Sequence, residues 1–463
     1  MKDNLPVQKN QQIELTIDAL LSDGQGVGRY ENFAVFVNGA LPGEQVRALI
    51  IKTTPSYAVG KLLDILDQSE ARTEPACPVY RQCGGCQLQH MNYEAQLAFK
   101  EKQVADALTR IGKLQAIKIE RIIPSDMPWR YRGKSAFPVG AEAGKTKIGY
   151  FSPRSHRIVD VERCLIQHES GDAVIKVVRG WMEKHSIPPY DEATHKGALR
   201  HIITRHTTTG EDMAILVTNG RALPHADELI VLLLENIPDL QSIIQNINTR
   251  RDNVILGSES ITLWGKDEVT EEIAGLRFRI SPNSFFQVNV VQAEKLYRKA
   301  LEYANPGKDD VIVDAYCGTG TISLFLARAG GKVYGIESVP EAIEDAKKNA
   351  ELNGITNAEF ICDTVEDGLA ALLDKGIKPD IIVLDPPRKG CEPSAIEAIL
   401  KSGAKRVVYV SCNPATLARD AAMLAEGGYT AEAVTPVDMF PNTSHTECCC
   451  LLERTSSVEN KGI

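Results

Sequence analysis

From about residue 285 the sequence settles into an alternation of apolar strand and amphipathic helix, and few folds accommodate that pattern. Val311-Ile312-Val313-Asp314-Ala315 is an apolar strand, a glycine-containing turn follows, and Thr321 to Arg328 reads as a helix. Lys332 to Glu337 is a second strand, followed by a helix from Pro340 that Gly354 ends. Strands around Phe360, at Ile381-Ile382-Val383-Leu384 and at Val407-Val408-Tyr409-Val410 continue the series. Parallel strands need crossover helices, so the pattern predicts a doubly wound, mostly parallel α/β sheet of the Rossmann-like kind. Ligands of such sheets bind at the carboxyl ends of the strands.

A chain of 463 residues is too long for one core, and three structured regions are expected. Residues 1–66 read as an OB-like β-barrel: Ile13, Leu15 and Ile17 alternate with polar residues, and Gly- and Pro-rich turns separate five short strands. Residues 67–280 hold an irregular Cys-rich loop, a helix from Tyr93 to Ile111, and an α+β region with two strands between Ala198 and Asn219. The histidines there, His201 and His206, read as surface or packing residues rather than metal ligands. Residues 281–454 carry the alternating pattern, and 455–463 read as a disordered tail.

The formal net charge of -9 argues mildly against a nucleic-acid partner, but it hides a basic stretch. Between Arg110 and Arg157 there are eleven Lys or Arg against three Asp or Glu, with Trp129, Tyr131, Phe137, Tyr150 and Phe151 interleaved. Cations that neutralise phosphates beside aromatics that stack on unpaired bases suit RNA; a solvated basic face is the plain alternative. No run of eighteen apolar residues or signal-peptide core is present, so a cytoplasmic protein is the expectation.

Four strand ends carry the chemistry. Asp314-Ala315-Tyr316-Cys317-Gly318-Thr319-Gly320 follows the first strand, and Glu337 ends the second, where a carboxylate can accept ribose hydroxyls. That pair suits a dinucleotide or S-adenosylmethionine equally. Asp385-Pro386-Pro387-Arg388 ends another strand, and its prolines remove competing backbone donors from around Asp385. Ser411-Cys412-Asn413-Pro414 ends the next. Pro414 suits a first helical position, so Cys412 precedes a helix N-terminus, where thiolate is favoured over thiol. A cysteine packed as a small hydrophobe is the alternative.

The eleven cysteines do not read as disulfides in such a protein. Cys77, Cys83, Cys86 and Cys164 stand apart from the C-terminal ones, and four thiolates suit either zinc or an iron–sulfur cluster.

Taken with Phe286-Gln287-Val288-Asn289 and His445-Thr446-Glu447, these motifs in this order resemble the TrmA/RlmD family of RNA 5-methyluridine methyltransferases along nearly the whole chain. The resemblance implies a class I, S-adenosylmethionine-dependent methyltransferase domain. It implies Cys412 as nucleophile toward uracil carbon 6, Glu447 as the base that removes the carbon 5 proton, and Gln287, Tyr316, Glu337 and Asp385 as cofactor contacts. The N-terminal barrel is similar to a TRAM domain, which implies RNA binding. The cysteine spacing resembles relatives that carry a [4Fe–4S] cluster, with zinc the alternative for Cys77, Cys83, Cys86 and Cys164. Barrel and cysteines together point to 23S ribosomal RNA as substrate, with transfer RNA the second choice and a non-catalytic RNA-binding or ribosome-assembly factor a third. The family also implies a monomer.

Overall fold

Five strands close into a barrel near the start of the computed structural model, which describes residues 5–455. The expected disordered tail lies, from residue 456 on, outside the described residues. The strands are β1 (Gln12–Leu20), β2 (Gly26–Tyr30), β3 (Phe33–Asn38), β4 (Gln45–Thr53) and β5 (Tyr57–Asp67), in the order β1-β2-β3-β5-β4, with β1 pairing to β4 to close the ring. The alternation read from the sequence holds: Ile13, Leu15 and Ile17 point inward onto Val35, Val37, Val46 and Ile50. Closure leaves no sheet edge open. Gly28 is fixed by that closure, because a Cβ there would lie 2.1 Å from the Thr16 carbonyl oxygen.

Glu44 anchors the barrel to the segment after it. Its carboxylate is fully buried, accepts the Leu41 N–H at 2.8 Å, and pairs with Arg72, which also donates to the Gly39 carbonyl at 2.7 Å. Burial alone would raise its pKa, but Arg72 and the backbone donors outweigh that and hold it below the ordinary value. The Cys-rich loop that follows is ordered by Tyr80, whose hydroxyl lies 2.6 Å from both the Gln87 carbonyl and His90 Nδ1. The distant segment 440–445 belongs to the same unit: the Asn442 carbonyl accepts from Gln87 and Leu88 at 3.1 and 3.0 Å. Helix α1 (Tyr93–Arg110) comes next in the chain.

The second compact unit, residues 104–439 with 446–455, holds two large sheets. After the short strand β6 (Lys118–Ile119) come β7 (Lys134–Glu142), β8 (Lys145–Phe151), β9 (Ile158–Asp160), α2 (Glu169–His185), β10 (Leu199–His206), β11 (Asp212–Thr218), α3 (Ala226–Asn236), β12 (Leu240–Ile247) and β13 (Glu259–Gly265). Seven of these strands form one sheet, β13-β12-β11-β10-β7-β8-β9. Helices α2 and α3 supply Val178, Trp181 and Leu233 to a core with Ile202, Leu216 and Ile243. The hairpin β14 (Val269–Ile273) and β15 (Leu276–Ile280) then leads to α4 (Val290–Ala304).

The predicted alternation follows as β16 (Val311–Ala315), α5 (Thr321–Ala329), β17 (Lys332–Glu337), α6 (Pro340–Leu352), β18 (Ala358–Cys362), α7 (Val365–Asp374), β19 (Ile381–Leu384), α8 (Pro393–Ser402), β20 (Arg406–Ser411), α9 (Pro414–Glu426), β21 (Tyr429–Val437) and β22 (Glu447–Arg454). Sheet order is β18-β17-β16-β19-β20-β22-β21-β6, with neighbours from β18 to β20 parallel and β22 antiparallel to both β20 and β21. The sheet is therefore doubly wound and mostly parallel, as the pattern predicted. Edge strand β6 was not anticipated, since its two residues are both exposed and show no alternation. No helix among the described residues is long and apolar enough to cross a membrane.

Removing the cation from the Glu44 pair tests this anchoring. Arg72→Met leaves a buried carboxylate uncompensated and is expected to cost about 3–5 kcal/mol in urea unfolding near neutral pH. Because the Glu44 pKa is lowered on folding, its contribution is present above the ordinary value of 4.5 and is lost as pH falls through the lowered one. The difference between the variant and the parent should shrink accordingly in acid.

Candidate active site

Beyond the carboxyl ends of the parallel strands the chain is polar, and the register brings those ends together. Ala315 pairs with Ile336 on one side and with Leu384 on the other. Tyr316, Glu337 and Asp385 therefore emerge side by side beyond β16, β17 and β19, where the strand order reverses. Ser411, the last residue of β20, faces Cys448 of antiparallel β22. One residue further out on each strand stand Cys412 and Glu447, so these two meet at the same edge.

The turn between β16 and α5 is shaped for close approach of a ligand. Tyr316, Gly318 and Gly320 all have positive φ, at 65, 53 and 80°. A Cβ on Gly318 would meet nothing within 4 Å, so this backbone borders open space, while one on Gly320 would press on Ala346 and Phe360 at 3.0–3.1 Å. Glu337 stands at the lip, accepting the Gly318 N–H at 3.2 Å and the Val339 N–H at 3.0 Å. Behind it Asp314 is buried; one oxygen accepts from Ser323 Oγ at 2.5 Å and the other has no partner.

The carboxylates here are held near neutrality. Burial pushes Asp314 and Asp385 up to about 7, and for Asp314 the neighbouring charges of Asp385 and Glu337 add to it. Glu447 is pushed up to about 8, by burial first and Asp385 second, with Arg388 opposing. Such a group, desolvated and short of cations, favours a positively charged ligand.

Cys412 departs from the sequence expectation of a ready thiolate. Burial, then Glu447 and Asp385, push its thiol up to about 11, and Arg388 and a backbone N–H offset this only in part. The helix N-terminus is there as predicted: Asn413 caps α9, accepting from the Ala415 N–H at 3.1 Å with Pro414 in the first turn. Burial, together with the facing Glu447 and Asp385, outweighs it. Asn413 also donates to the Arg388 carbonyl at 3.2 Å, and the buried Asp420 accepts the Cys391 N–H at 2.8 Å. The Asp385-Pro386-Pro387-Arg388 turn is thus pinned to the helix that follows Cys412.

Gln287 joins this group through Tyr297 of α4. Its side chain hydrogen-bonds the Tyr297 phenol, which is buried and faces Asp385, Glu447 and Asp314. Tyr297 was missed from sequence because a tyrosine on an apolar helix face reads as core. Arg388 was quoted within its motif but given no role, although it is the cation that lowers both Cys412 and Glu447.

The four other cysteines of interest are half-buried. The Gly85 N–H points at Cys83 Sγ at 3.4 Å, and the Ile166 and Gln167 N–H groups point at the Cys164 sulfur. A separate group, His168, His206 and Asp212, brings three donor atoms within 4.8 Å of one another. The two imidazoles stack in parallel at 3.2 Å, so their nitrogens lie side by side and do not converge on one point.

With this geometry in place, the comparisons with known proteins are decisive. The family model described as tRNA (uracil-5-)-methyltransferase matches residues 244–455, and the TRAM domain model matches residues 6–63. An uncharacterized RNA methyltransferase of Clostridium tetani is 51% identical over 453 residues, covering 98% of each chain. Another, of Halalkalibacterium halodurans, is 47% identical over 98% of this chain and 99% of its own. The chain belongs to the RNA uracil-5-methyltransferase family. Among solved structures, the Pyrococcus abyssi tRNA (uracil-54, C5)-methyltransferase in complex with S-adenosyl-L-homocysteine is similar with a TM-score of 0.77 and 28% identity. The match covers 95% of this chain and 100% of that one.

The electrostatics of this uracil methyltransferase can be read by alkylation. The rate at which iodoacetamide labels the Cys412 peptide should climb with pH toward about 11. Glu447→Gln removes a facing carboxylate, so the labelling midpoint should move down; mass spectrometry of that peptide finds an unmoved midpoint if the two groups do not interact.

Proposed function

We propose that this enzyme methylates carbon 5 of uridine in structured RNA with S-adenosylmethionine as methyl donor. The observation that carries the proposal is the meeting of Cys412 and Glu447 at adjacent strand ends, beside the open Gly318 turn. Carbon 5 of uracil is too weak a nucleophile to attack unaided. With its proton given up to solvent, the Cys412 sulfur adds to carbon 6, breaking the carbon 5–carbon 6 double bond to give an enolate. Carbon 5 of that enolate can take the methyl group, the sulfonium sulfur keeping the bonding pair as a neutral thioether. Glu447 then accepts the carbon 5 proton, and the carbon–sulfur bond breaks to release methylated uracil and the cysteine.

S-adenosylmethionine supplies the electrophilic methyl on a cationic sulfonium. The residues present fit it: Glu337 for the ribose, the Gly318 turn for the backbone approach, and Asp385, Gln287 and Tyr316 around the cofactor. A cation beside Asp385 would also offset the carboxylate field that holds the Cys412 thiol up, so the nucleophile would form when the donor is bound.

The RNA partner is proposed as one or more uridines of 23S ribosomal RNA, bound with the help of the TRAM-like barrel and the basic stretch. Transfer RNA is a second reading that one observation favours: the Pyrococcus abyssi tRNA enzyme aligns with nearly all of this chain, so a barrel alone does not separate the two. Methyl mapping of both RNAs from a deletion strain decides between them. The four cysteines, with N–H groups directed at two of their sulfurs, suit a [4Fe–4S] cluster, and such N–H bonds stabilise cluster sulfurs. Cys77, Cys83, Cys86 and Cys164 would hold it, as a structural element. The domains proposed are a TRAM barrel over 1–66, a central RNA-binding region over 67–280 and the methyltransferase domain over 281–454.

RNA carrying 5-fluorouridine should trap the enzyme covalently, because carbon 5 then has no removable proton. The adduct should vanish in Cys412→Ala, and a variant that still traps and methylates would mean the nucleophile is misassigned. Glu447→Gln should methylate slowly while the adduct accumulates on ordinary RNA. Protein purified without air should be brown, with about four iron and four sulfide per chain; colourless protein holding zinc contradicts the cluster.

A further inference from the structure

The central sheet carries a cleft that the methylation chemistry does not use. It opens between the β8–β9 turn, the segment 189–193 and the start of β10, and encloses about 420 Å³, within the range of small-molecule sites. Its floor includes Arg200 and His201. Arg200 is only 5% exposed and holds the carbonyls of Asn248 and Arg250 with one nitrogen, yet its Nε has no partner. The guanidinium lies 4.2 Å over the ring of Tyr190, so it forms part of a flat cationic and aromatic wall. His201 Nδ1 is likewise buried and unpartnered, and burial pushes its pKa down to about 4, so the ring is neutral at ordinary pH. Both residues line the cleft, and each carries a buried nitrogen with no protein partner.

The rim points to the kind of ligand the cleft would take. Phe151 and the exposed His156 place their rings 5.4 Å apart at the mouth. The acidic groups nearby are already engaged: Asp191 accepts from Ala193 N and Thr194 Oγ1, Glu192 holds His156, and Glu142 sits 3.9 Å from Lys147. Arg157, by contrast, is exposed and touches only Ser152 Oγ, at 3.4 Å, and is in no ion pair among the described residues. The cleft also lies on the strands of the cation-rich, aromatic stretch that ends at Arg157.

We propose that this cleft holds an unpaired nucleotide of the RNA substrate other than the methylated uridine, its base between the Phe151–His156 pair and the Arg200–Tyr190 wall and its phosphate at Arg157. This rests on the reading of the enzyme as an RNA uracil methyltransferase. A base presents both a π-face and a polar edge, which an acidic peptide or a lipid headgroup does not. Holding a second nucleotide fixes the register of the RNA and so contributes to the choice of uridine.

The test uses the full-length protein with unmethylated 23S rRNA and tRNA transcripts, and measures RNA Kd by filter binding alongside methylation. His156→Ala and Arg157→Ala change exposed side chains; Phe151→Ala is the third variant. Each is expected to raise both Kd and KM for RNA at least threefold, with the effect falling on KM rather than kcat. Arg157→Ala should also lower the slope of log affinity against log salt by about one phosphate contact. Unchanged Kd and salt slope in all three variants overturn the proposal, as does adenosine monophosphate binding tightly to the parent and not the variants while RNA affinity is unaltered, which would make the ligand a free nucleotide. Because Kd needs no turnover, failure of uracil methylation and failure of the cleft are read separately.

Discussion

The antiparallel pairing of β22 with β20 fixes the site, because everything else at the sheet edge is measured from it. Ser411 faces Cys448, and that register alone carries Glu447, from the far end of the sequence, to the side of Cys412. Side chains alternate faces along a strand, so a slip of one residue would turn Glu447 away and bring a buried cysteine to the edge. The register is held from both sides: β21 pairs with the other edge of β22, and Cys448, Cys449 and Cys450 are all fully buried. These three thiols are raised by burial, which suits packing groups with no chemistry of their own.

The same edge carries more negative groups than it can ionise at once. Asp314, Asp385 and Glu447 are pushed to about 7, 7 and 8, and burial, then Glu447 and Asp385, lift Cys412 to about 11. One cation, Arg388, opposes them, and it is held in place by the bond between its carbonyl and Asn413. Burial and these charges favour the thiol over the thiolate. A cationic ligand at this edge would stabilise the carboxylates and a thiolate together. That coupling follows from the lack of cations in a dry site, where each charge counts for more than in water.

How much of this was legible in sequence depended on whether the signal was local. The alternation from Val311 to Val410 was read nearly to the residue, since apolar runs and glycine turns report on their own strand. The barrel was legible for the same reason, through the alternation at Ile13, Leu15 and Ile17. Long-range effects were not. The surroundings of Cys412 were legible only in part, because the helix N-terminus is visible in Asn413-Pro414, whereas its burial and the carboxylates at 385 and 447 act only through the fold. Tyr297 and β6 were hidden likewise: one looks like core on a helix, and the other is two exposed residues whose strand character exists only because Val434 lies beside them. Gln287 entered through family resemblance and gained its physical place only through its bond to Tyr297.

Eleven cysteines in one chain raise the question of how a single one becomes reactive, and the environment of each answers it. Cys317, Cys391 and Cys448 to Cys450 are buried, and Cys362 is exposed at the end of β18. Cys412 alone combines partial exposure, a helix N-terminus and a titratable carboxylate at the adjacent strand end. A thiolate formed permanently there would be open to oxidation and stray alkylation. Burial, with the charges of Glu447 and Asp385 added to it, raises its pKa and so limits that exposure. Glu447 thus adds to the charge felt by the sulfur from a position that the register of β22 against β20 fixes.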